Sequence, residues 1–102
     1  DNVESRGLGD VYKRQSLLEQ YLPFIRKAKI VRLEGHCDER GTREYNLALG
    51  ERRALEVRDF LIVKGISGKK IRVVSFGEEK PLKRASTEQA WSENRRVEIS
   101  LY

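Results

Sequence analysis

Residues 30–64 carry the sequence IVRLEGHCDERGTREYNLALGERRALEVRDFLIVK, and this stretch decides the fold. Its first part alternates apolar and polar residues, which predicts a strand over residues 30–35 with one buried and one wet face. Thr42 then suits a helix N-cap, and a long helix is predicted over residues 43–64. The apolar positions of this helix recur at spacings of 7, 3 and 4 residues: Leu47, Ala54, Val57 and Leu61. Gly65 follows, where a left-handed C-cap is expected.

Similar patterns extend in both directions from this unit. Upstream, a helix is predicted from Ser16, with Glu19 completing a capping box and Pro23 kinking or breaking the helix. Downstream, apolar alternation and a second capping box predict a strand, a short helix and a final strand over residues 71–76, 86–91 and 97–101.

This order of elements predicts a two-layer α/β (α+β) fold. Two strands joined by a long helix favour a right-handed crossover between parallel neighbours. We therefore expect a small mixed parallel and antiparallel sheet of three to four strands, with helices on one face, in the order βαβαβ-(α)-β. Residues 1–15 are charged and weakly periodic, and within them residues 10–13 suit a short edge strand.

Composition limits the class of protein. The 102 residues suit one domain, and the charged fraction of 36% is high beside a hydrophobic fraction of 38%. The apolar stretches, such as residues 60–63, are far shorter than the roughly 20 residues that span a bilayer. A net charge of +5 is compatible with nucleic acid, an anionic polymer or a membrane surface, and selects none of them. The single Cys37 cannot form an internal disulfide, and residues 1–15 contain no signal peptide.

The densest polar segment, residues 35–41, suggests three kinds of chemistry. A metal site is disfavoured because the possible ligands are contiguous and the sequence has no second His or Cys. A catalytic pair of His36 and Cys37 is disfavoured because neighbouring residues at a strand end point to opposite faces. We expect His36 to be partly buried, with its ring hydrogen-bonded to the backbone. No metal, cofactor or catalytic residue is therefore predicted.

The third possibility is recognition of a ligand by opposite charges. Asp38 lies just past the strand, and the long helix runs back alongside it, so Arg53 can return to the level of Asp38. Asn46, Leu49 and Arg53 are spaced by 3 and 4 residues and share one helix face. An acid and a base at such a loop match a zwitterion, because a guanidinium binds a carboxylate and a carboxylate binds an ammonium. Spacing alone favours a structural Asp38–Arg53 salt bridge or unrelated surface charges.

Residues 35–54, GHCDERGTREYNLALGERRA, resemble the signature of OmpA-like C-terminal domains and, within that family, the peptidoglycan-associated lipoprotein (Pal) branch. The segments VSFGEEKP at residues 74–81 and NRRVE at residues 94–98 agree with the same family. The resemblance covers about residues 16–102. The resemblance is highly specific, because many residues match the family signature in the same order.

The resemblance implies non-covalent binding of the peptidoglycan stem peptide through the zwitterionic end of meso-diaminopimelate. In the family, residues at the positions of Asp38 and Arg53 make the decisive contacts. The residue at the position of Asn46 supports the loop and ligand, and that of Leu49 lines the pocket. Rim or structural roles are expected for three further positions: Thr42, Arg95 and Arg96.

The resemblance also implies a cellular setting. Such a domain tethers an outer-membrane component to the cell wall, in the periplasm of a Gram-negative-type bacterium. The Pal branch also binds the periplasmic propeller protein of the Tol system, which is therefore expected as a second partner. An anchoring domain of this kind is not an enzyme.

Two features depart from the family. Cys37 stands where the family has a small or hydroxyl residue, a modest change in size. Residues 1–15 do not resemble the first strand of the family, so we interpret them as a foreign arm or scar, and residues 16–102 as the domain. Either residues 10–13 replace the missing edge strand, or a neighbouring molecule fills the edge.

A basic nucleic-acid-binding domain is the alternative. It draws support from the net charge of +5 and from an open sheet face. Against it, the predicted wet face mixes Arg32 and Arg72 with Glu34 and Glu98. That face also lacks the aromatic pairs on which RNA-binding sheets stack bases.

Overall fold

The structure, a computed structural model, describes residues 2–6 and 11–102, with side chains from Leu17 onward. Its elements are β1 (Asn2–Arg6), α1 (Val11–Lys27), β2 (Val31–His36), α2 (Arg43–Val63), a 3-10 turn (Gly68–Lys70), β3 (Ile71–Gly77), α3 (Glu88–Asn94) and β4 (Arg96–Leu101). The four strands form one sheet in the order β1-β4-β2-β3. β2 runs parallel to β3, whereas β4 runs antiparallel to both β1 and β2. The predicted mixed sheet is confirmed.

The hydrophobic core lies between the sheet and helices α1 and α2. Alternation places Val31 and Leu33 of β2 on the inner face, where both are fully buried. The rest of the buried core comes from both helices, the turn before β3, and the neighbouring strands: Leu18, Ile25, Ala54, Val57, Leu61, Ile66, Ile71, Val97 and Ile99. All three strands with described side chains bury this same face, so the two-layer prediction is confirmed.

Two glycines allow α2 to lie directly on β2. A Cβ on Gly35 would come within 1.7 Å of the Gly50 carbonyl oxygen, so backbone meets backbone at this point. The helix begins at the predicted cap, where Thr42 Oγ1 accepts a hydrogen bond from the Tyr45 amide, 3.1 Å away. It ends at Val63, and Gly65, two residues later, has the predicted left-handed conformation with a φ of 93°. The cap and the glycine turn thus set the length of α2, and the close contact between Gly35 and Gly50 sets its position on β2.

The first helix differs from its prediction. α1 begins at Val11, so Ser16 lies inside the helix and does not cap it. Pro23 also lies inside α1, which continues to Lys27 without a break. Pro23 is solvent-exposed, while Leu18 and Ile25 on either side of it are buried in the core. Packing on both sides therefore holds the helix together across the missing backbone hydrogen bond.

The sheet edge is filled differently from either prediction. β1 (Asn2–Arg6) pairs with β4 along its whole length, from Asn2 opposite Ser100 to Arg6 opposite Arg96. Residues 11–13 belong to α1 and are not a strand, and Asp10 lies outside the described residues. The edge next to β4 is therefore occupied by this chain itself. No helix among the described residues is long and apolar enough to cross a membrane.

Candidate functional site

A pocket of about 650 Å³ opens where β2 ends and the loop to α2 begins. We call it the acid–base pocket, because Asp38 from the loop and Arg53 from α2 both line it. The loop, α2 and α3 supply its lining: Cys37, Asp38, Arg40, Gly41, Tyr45, Asn46, Leu49, Arg53, Glu88 and Arg95. The close approach of α2 to β2 is what brings the helix side chain to the level of the loop.

Asp38 is a buried carboxylate with cationic partners. It is 7% exposed and accepts hydrogen bonds from the Arg40 amide at 3.0 Å, and from Arg40 Nη2 at 2.8 Å and Nε at 3.2 Å. Arg95 Nη1 donates a further bond at 3.0 Å. Burial by itself would raise the pKa of Asp38, but the hydrogen bonds from Arg40 and Arg95 outweigh it and lower that pKa to about 2. Asp38 is therefore an anion at neutral pH.

Arg53 is a buried cation with only uncharged hydrogen-bond partners. It is 5% exposed, and its Nη1 donates to the His36 carbonyl at 2.8 Å and to Cys37 Sγ at 3.3 Å. Among residues whose side chains are described, its Nε has no hydrogen-bond partner and Arg53 forms no ion pair. Burial lowers the pKa of this guanidinium. The structural Asp38–Arg53 salt bridge favoured by spacing alone is absent.

Asn46 fastens the loop to α2. It is buried, and its amide nitrogen donates to the Arg40 carbonyl at 2.9 Å and to Glu78 Oε1 at 3.1 Å. Leu49 lines the pocket one helical turn further along, as an apolar patch beside Arg53. Thr42 does not line the pocket and serves as the N-cap of α2.

The paired arginines at the end of the chain have separate locations. Arg95 lines the pocket, bonds to Asp38, and also donates to Glu88 Oε1 at 2.8 Å. Arg96 instead donates to Glu98 Oε2 at 2.8 Å and does not line the pocket. Sequence reasoning gave Arg95 only a rim or structural role, and missed Arg40 altogether. The position of Arg40, two residues beyond Asp38 in a turn-rich loop, was the available signal.

His36 and Cys37 lie on opposite sides of the sheet. Cys37 is buried against α2, where its thiol donates to the Asn46 carbonyl at 3.2 Å, and burial raises its pKa. The His36 ring instead stacks on Phe76, with ring centres 5.6 Å apart. The two side chains therefore form no nucleophile–base pair. The expected backbone hydrogen bond of the His36 ring is wrong, because neither ring nitrogen has a hydrogen-bond partner among the described residues, and the residue is fully rather than partly buried.

Comparison with known proteins places this architecture in a family. The model of the OmpA family matches residues 12–95. The peptidoglycan-associated lipoprotein of Pseudomonas aeruginosa is 55% identical over 67 residues, which are 66% of this chain and 40% of that protein. The protein of the same name from Mesorhizobium japonicum is 48% identical over 82 residues, 80% of this chain and 48% of that protein. The chain thus spans less than half the length of these curated relatives.

A solved structure agrees with the sequence matches. The crystal structure of the peptidoglycan-associated lipoprotein from Burkholderia pseudomallei superposes with a TM-score of 0.87 at 34% identity, covering 97% of this chain and 89% of that one. No catalytic family is indicated by these matches. The chain belongs to the OmpA family.

Proposed function

We propose that this domain binds the stem peptide of peptidoglycan non-covalently, holding the zwitterionic end of meso-diaminopimelate in the acid–base pocket. The observation that carries this proposal is the buried guanidinium of Arg53, which shares the pocket with Asp38 yet has no acidic partner among the described side chains. A buried charge without a counter-ion is costly. A ligand carboxylate supplies that counter-ion and matches the guanidinium fork.

Asp38 is the complementary group for the ligand ammonium. Its pKa of about 2 keeps it charged at any physiological pH. Its carboxylate already accepts four hydrogen bonds from Arg40 and Arg95, about as many as its oxygens can take. Arg40 is the partner that can withdraw, because its side chain is 51% exposed, against 17% for Arg95. The ammonium takes the place of the Arg40 guanidinium in this arrangement.

The names of the relatives support a tethering role. Proteins called peptidoglycan-associated lipoproteins match this chain in sequence and in fold, so we infer that the domain anchors an outer-membrane component to the cell wall from the periplasm. The role is binding rather than catalysis. Association with the periplasmic propeller protein of the Tol system stays a prediction, which co-purification of the two purified proteins tests. Nothing in the comparisons favours the nucleic-acid alternative.

Calorimetric titration with two stem peptides tests the proposal. One peptide carries meso-diaminopimelate, and the other carries lysine, which keeps the side-chain ammonium but lacks the adjoining carboxylate. We expect the parent protein to prefer the diaminopimelate peptide. In Arg53→Leu this affinity should fall by about a hundredfold, since an ion pair in a buried pocket is lost.

Arg52→Leu is the matched control, because Arg52 precedes Arg53 on α2 but is exposed and does not line the pocket. Equal affinity of Arg53→Leu and Arg52→Leu would contradict the assignment of the site. Failure of the parent protein to bind the diaminopimelate peptide would contradict the function itself. Circular dichroism of both variants checks that each is folded.

A further inference from the structure

The outer face of the sheet, opposite the helices, carries a cluster of two carboxylates and an imidazole. Glu34 and His36 stand two residues apart on β2 and therefore share a face. Glu98 on β4 lies directly opposite Glu34 in the antiparallel register. One ligand-type atom from each residue lies within 4.8 Å of the others. We call these three residues the outer-face cluster.

The histidine at the centre of this cluster lacks partners. His36 is 1% exposed, and neither of its ring nitrogens has a hydrogen-bond partner among the described residues. Its Nε2 lies 3.6 Å from Glu34 Oε1 and 3.4 Å from Glu98 Oε2. Both distances exceed those of ordinary hydrogen bonds. Buried polar atoms rarely have no partner, and the described side chains supply none that satisfies the ring nitrogens of His36.

The same distances suit three ligands around one metal ion. Zinc bonds of about 2.0–2.1 Å at tetrahedral angles of about 109° place neighbouring ligand atoms about 3.4 Å apart. Imidazole and carboxylate are both zinc ligands, and three protein ligands leave a fourth position for water. We propose that Glu34, His36 and Glu98 form a binding site for a divalent transition-metal ion, with Zn²⁺ as the probe of choice.

Neighbouring side chains orient the proposed ligands. Arg32 Nε lies 3.2 Å from Glu34 Oε2, on the other side of that carboxylate from His36. Arg96 Nε lies 2.8 Å from Glu98 Oε2, the same oxygen that faces His36, so at Glu98 the ion and Arg96 share one oxygen or the ion binds the other. Such outer contacts fix the direction of metal-binding carboxylates, and here they also balance the two negative charges when no ion is bound.

The imidazole ring is also held in position by a neighbouring side chain. Phe76 stacks against the ring with an angle of 21° between the two planes, which fixes its orientation.

The outer-face cluster shares no residue with the acid–base pocket. It lies on the other side of the sheet from α2, and its carboxylates are partly exposed there, with side-chain exposures of 18% for Glu34 and 20% for Glu98. An ion can reach them without passing through the core. The metal site therefore stands or falls independently of the proposed peptidoglycan binding.

Titration of the metal-free protein with Zn²⁺ tests the inference, using calorimetry and the shift of the melting temperature. We expect one ion per chain and a rise in melting temperature on binding. Glu98→Gln and Glu34→Gln should each weaken binding by about tenfold or more, since each removes a charged ligand. Glu51→Gln is the control: it removes the same charge from the exposed surface of α2 and should bind Zn²⁺ as the parent does.

Co²⁺ substitution shows which atoms hold the ion. Visible absorption bands of a tetrahedral nitrogen and oxygen site, lost in Glu98→Gln and in His36→Gln, support the inference. An absorption band from thiolate to Co²⁺ that disappears in Cys37→Ala would overturn it, as would unchanged Zn²⁺ affinity in Glu34→Gln and Glu98→Gln. The absence of one-to-one binding by the parent would do the same. If the buried His36→Gln variant fails to fold, the two partly exposed glutamate variants still decide the question.

Discussion

The acid–base pocket and the outer-face cluster arise from the same short stretch of chain but leave opposite kinds of group unpartnered. In the pocket, the carboxylate of Asp38 holds two guanidiniums, while the cation Arg53 has no acidic partner among the described side chains. In the outer-face cluster, an arginine lies against each carboxylate, while the imidazole of His36 has no hydrogen-bond partner within the described part of the chain. An unpartnered cation suits a ligand carboxylate, whereas an imidazole between carboxylates suits a metal ion. The two sites therefore differ in which group has no partner, a guanidinium in one and an imidazole in the other.

The end of β2 leads into both the acid–base pocket and the outer-face cluster. We therefore expect Gly35→Ala to disturb the structure of both sites. Its new Cβ would come within 1.7 Å of a backbone carbonyl of α2, which cannot move aside as a side chain can. We expect a loss of about 3 kcal/mol in the free energy of unfolding, measured by urea denaturation.

Gly68→Ala is the matched control for this substitution. A Cβ there would meet only the flexible end of Ile62, at 3.5 Å. The stability of this variant should change by less than about 1 kcal/mol. Equal stability of Gly35→Ala and the parent would show that α2 does not pack on β2 as described.

Acid should affect the pocket through Asp38. Its folded pKa of about 2 lies below the unfolded value of about 3.9, so the folded state favours the carboxylate. The contribution of Asp38 to the free energy of unfolding is fully present above pH 4 and is lost as the pH falls through 2. Each unit by which the folded pKa lies below the unfolded pKa contributes about 1.4 kcal/mol. In metal-free buffer, the stability of the parent should fall more steeply over this range than that of Asp38→Asn. Parallel curves would mean that Asp38 is not held by its arginines.

A smaller effect is expected for a variant that keeps the charge of Arg53 but changes the shape of its side chain. Arg53→Lys keeps the positive charge but loses the planar fork that takes a carboxylate by two hydrogen bonds. We expect about tenfold weaker binding of the diaminopimelate peptide by calorimetry. Zn²⁺ affinity should remain that of the parent, because within the outer-face cluster Arg53 contacts only the backbone carbonyl of His36 and none of the side-chain ligands. Undiminished peptide binding would show that charge alone suffices.

The smallest effect is expected at Cys37. Its thiol lies between the Asn46 carbonyl and Arg53, and both hydrogen bonds are weak because sulfur is a poor donor and acceptor. Cys37→Ala should cost about 1 kcal/mol or less in unfolding free energy and change peptide affinity by less than about twofold. A large loss of binding would give the thiol a role in recognition that its raised pKa does not suggest.

Most of the fold follows from local patterns in the sequence. Apolar alternation predicted β2, β3 and β4 to within one residue at either end, because side chains of a strand point alternately to the core and to water. The cap at Thr42 and the turn at Gly65 bounded α2 correctly, because these conformations depend on the residue itself. The prediction failed at β1, at the start of α1 and at α3, which is capped by Thr87 and runs to Asn94. A short edge strand depends on pairing with its neighbour. At α1, the sequence offers Asp10 as an N-cap residue type directly before Val11, but the prediction assigned residues 10–13 to a strand.

Like the fold, the candidate site could be predicted from the sequence only in part. Spacing placed Asp38 and Arg53 at one level, because a loop between a strand and an antiparallel helix returns two such residues there, but by itself it favoured a salt bridge or unrelated charges. The family resemblance favoured them as ligand contacts, and that role stays a prediction. The sequence could not find the bond from Arg95 to Asp38, which joins residues 57 positions apart and depends on where α3 packs. Nor could it find the outer-face cluster, since Glu98 meets His36 only through the register of β4 against β2.

The sequence by itself thus determined the order of the elements from α1 onward and their buried faces, because these depend on residue type and spacing, and it proposed the acid and base of the pocket. Tertiary structure alone decided which strand fills the sheet edge, which guanidinium is left without an acidic partner and which carboxylates surround the buried imidazole. The physical reason is that hydrogen bonds and ion pairs act over a few ångströms, and only strand register and helix packing bring distant residues that close.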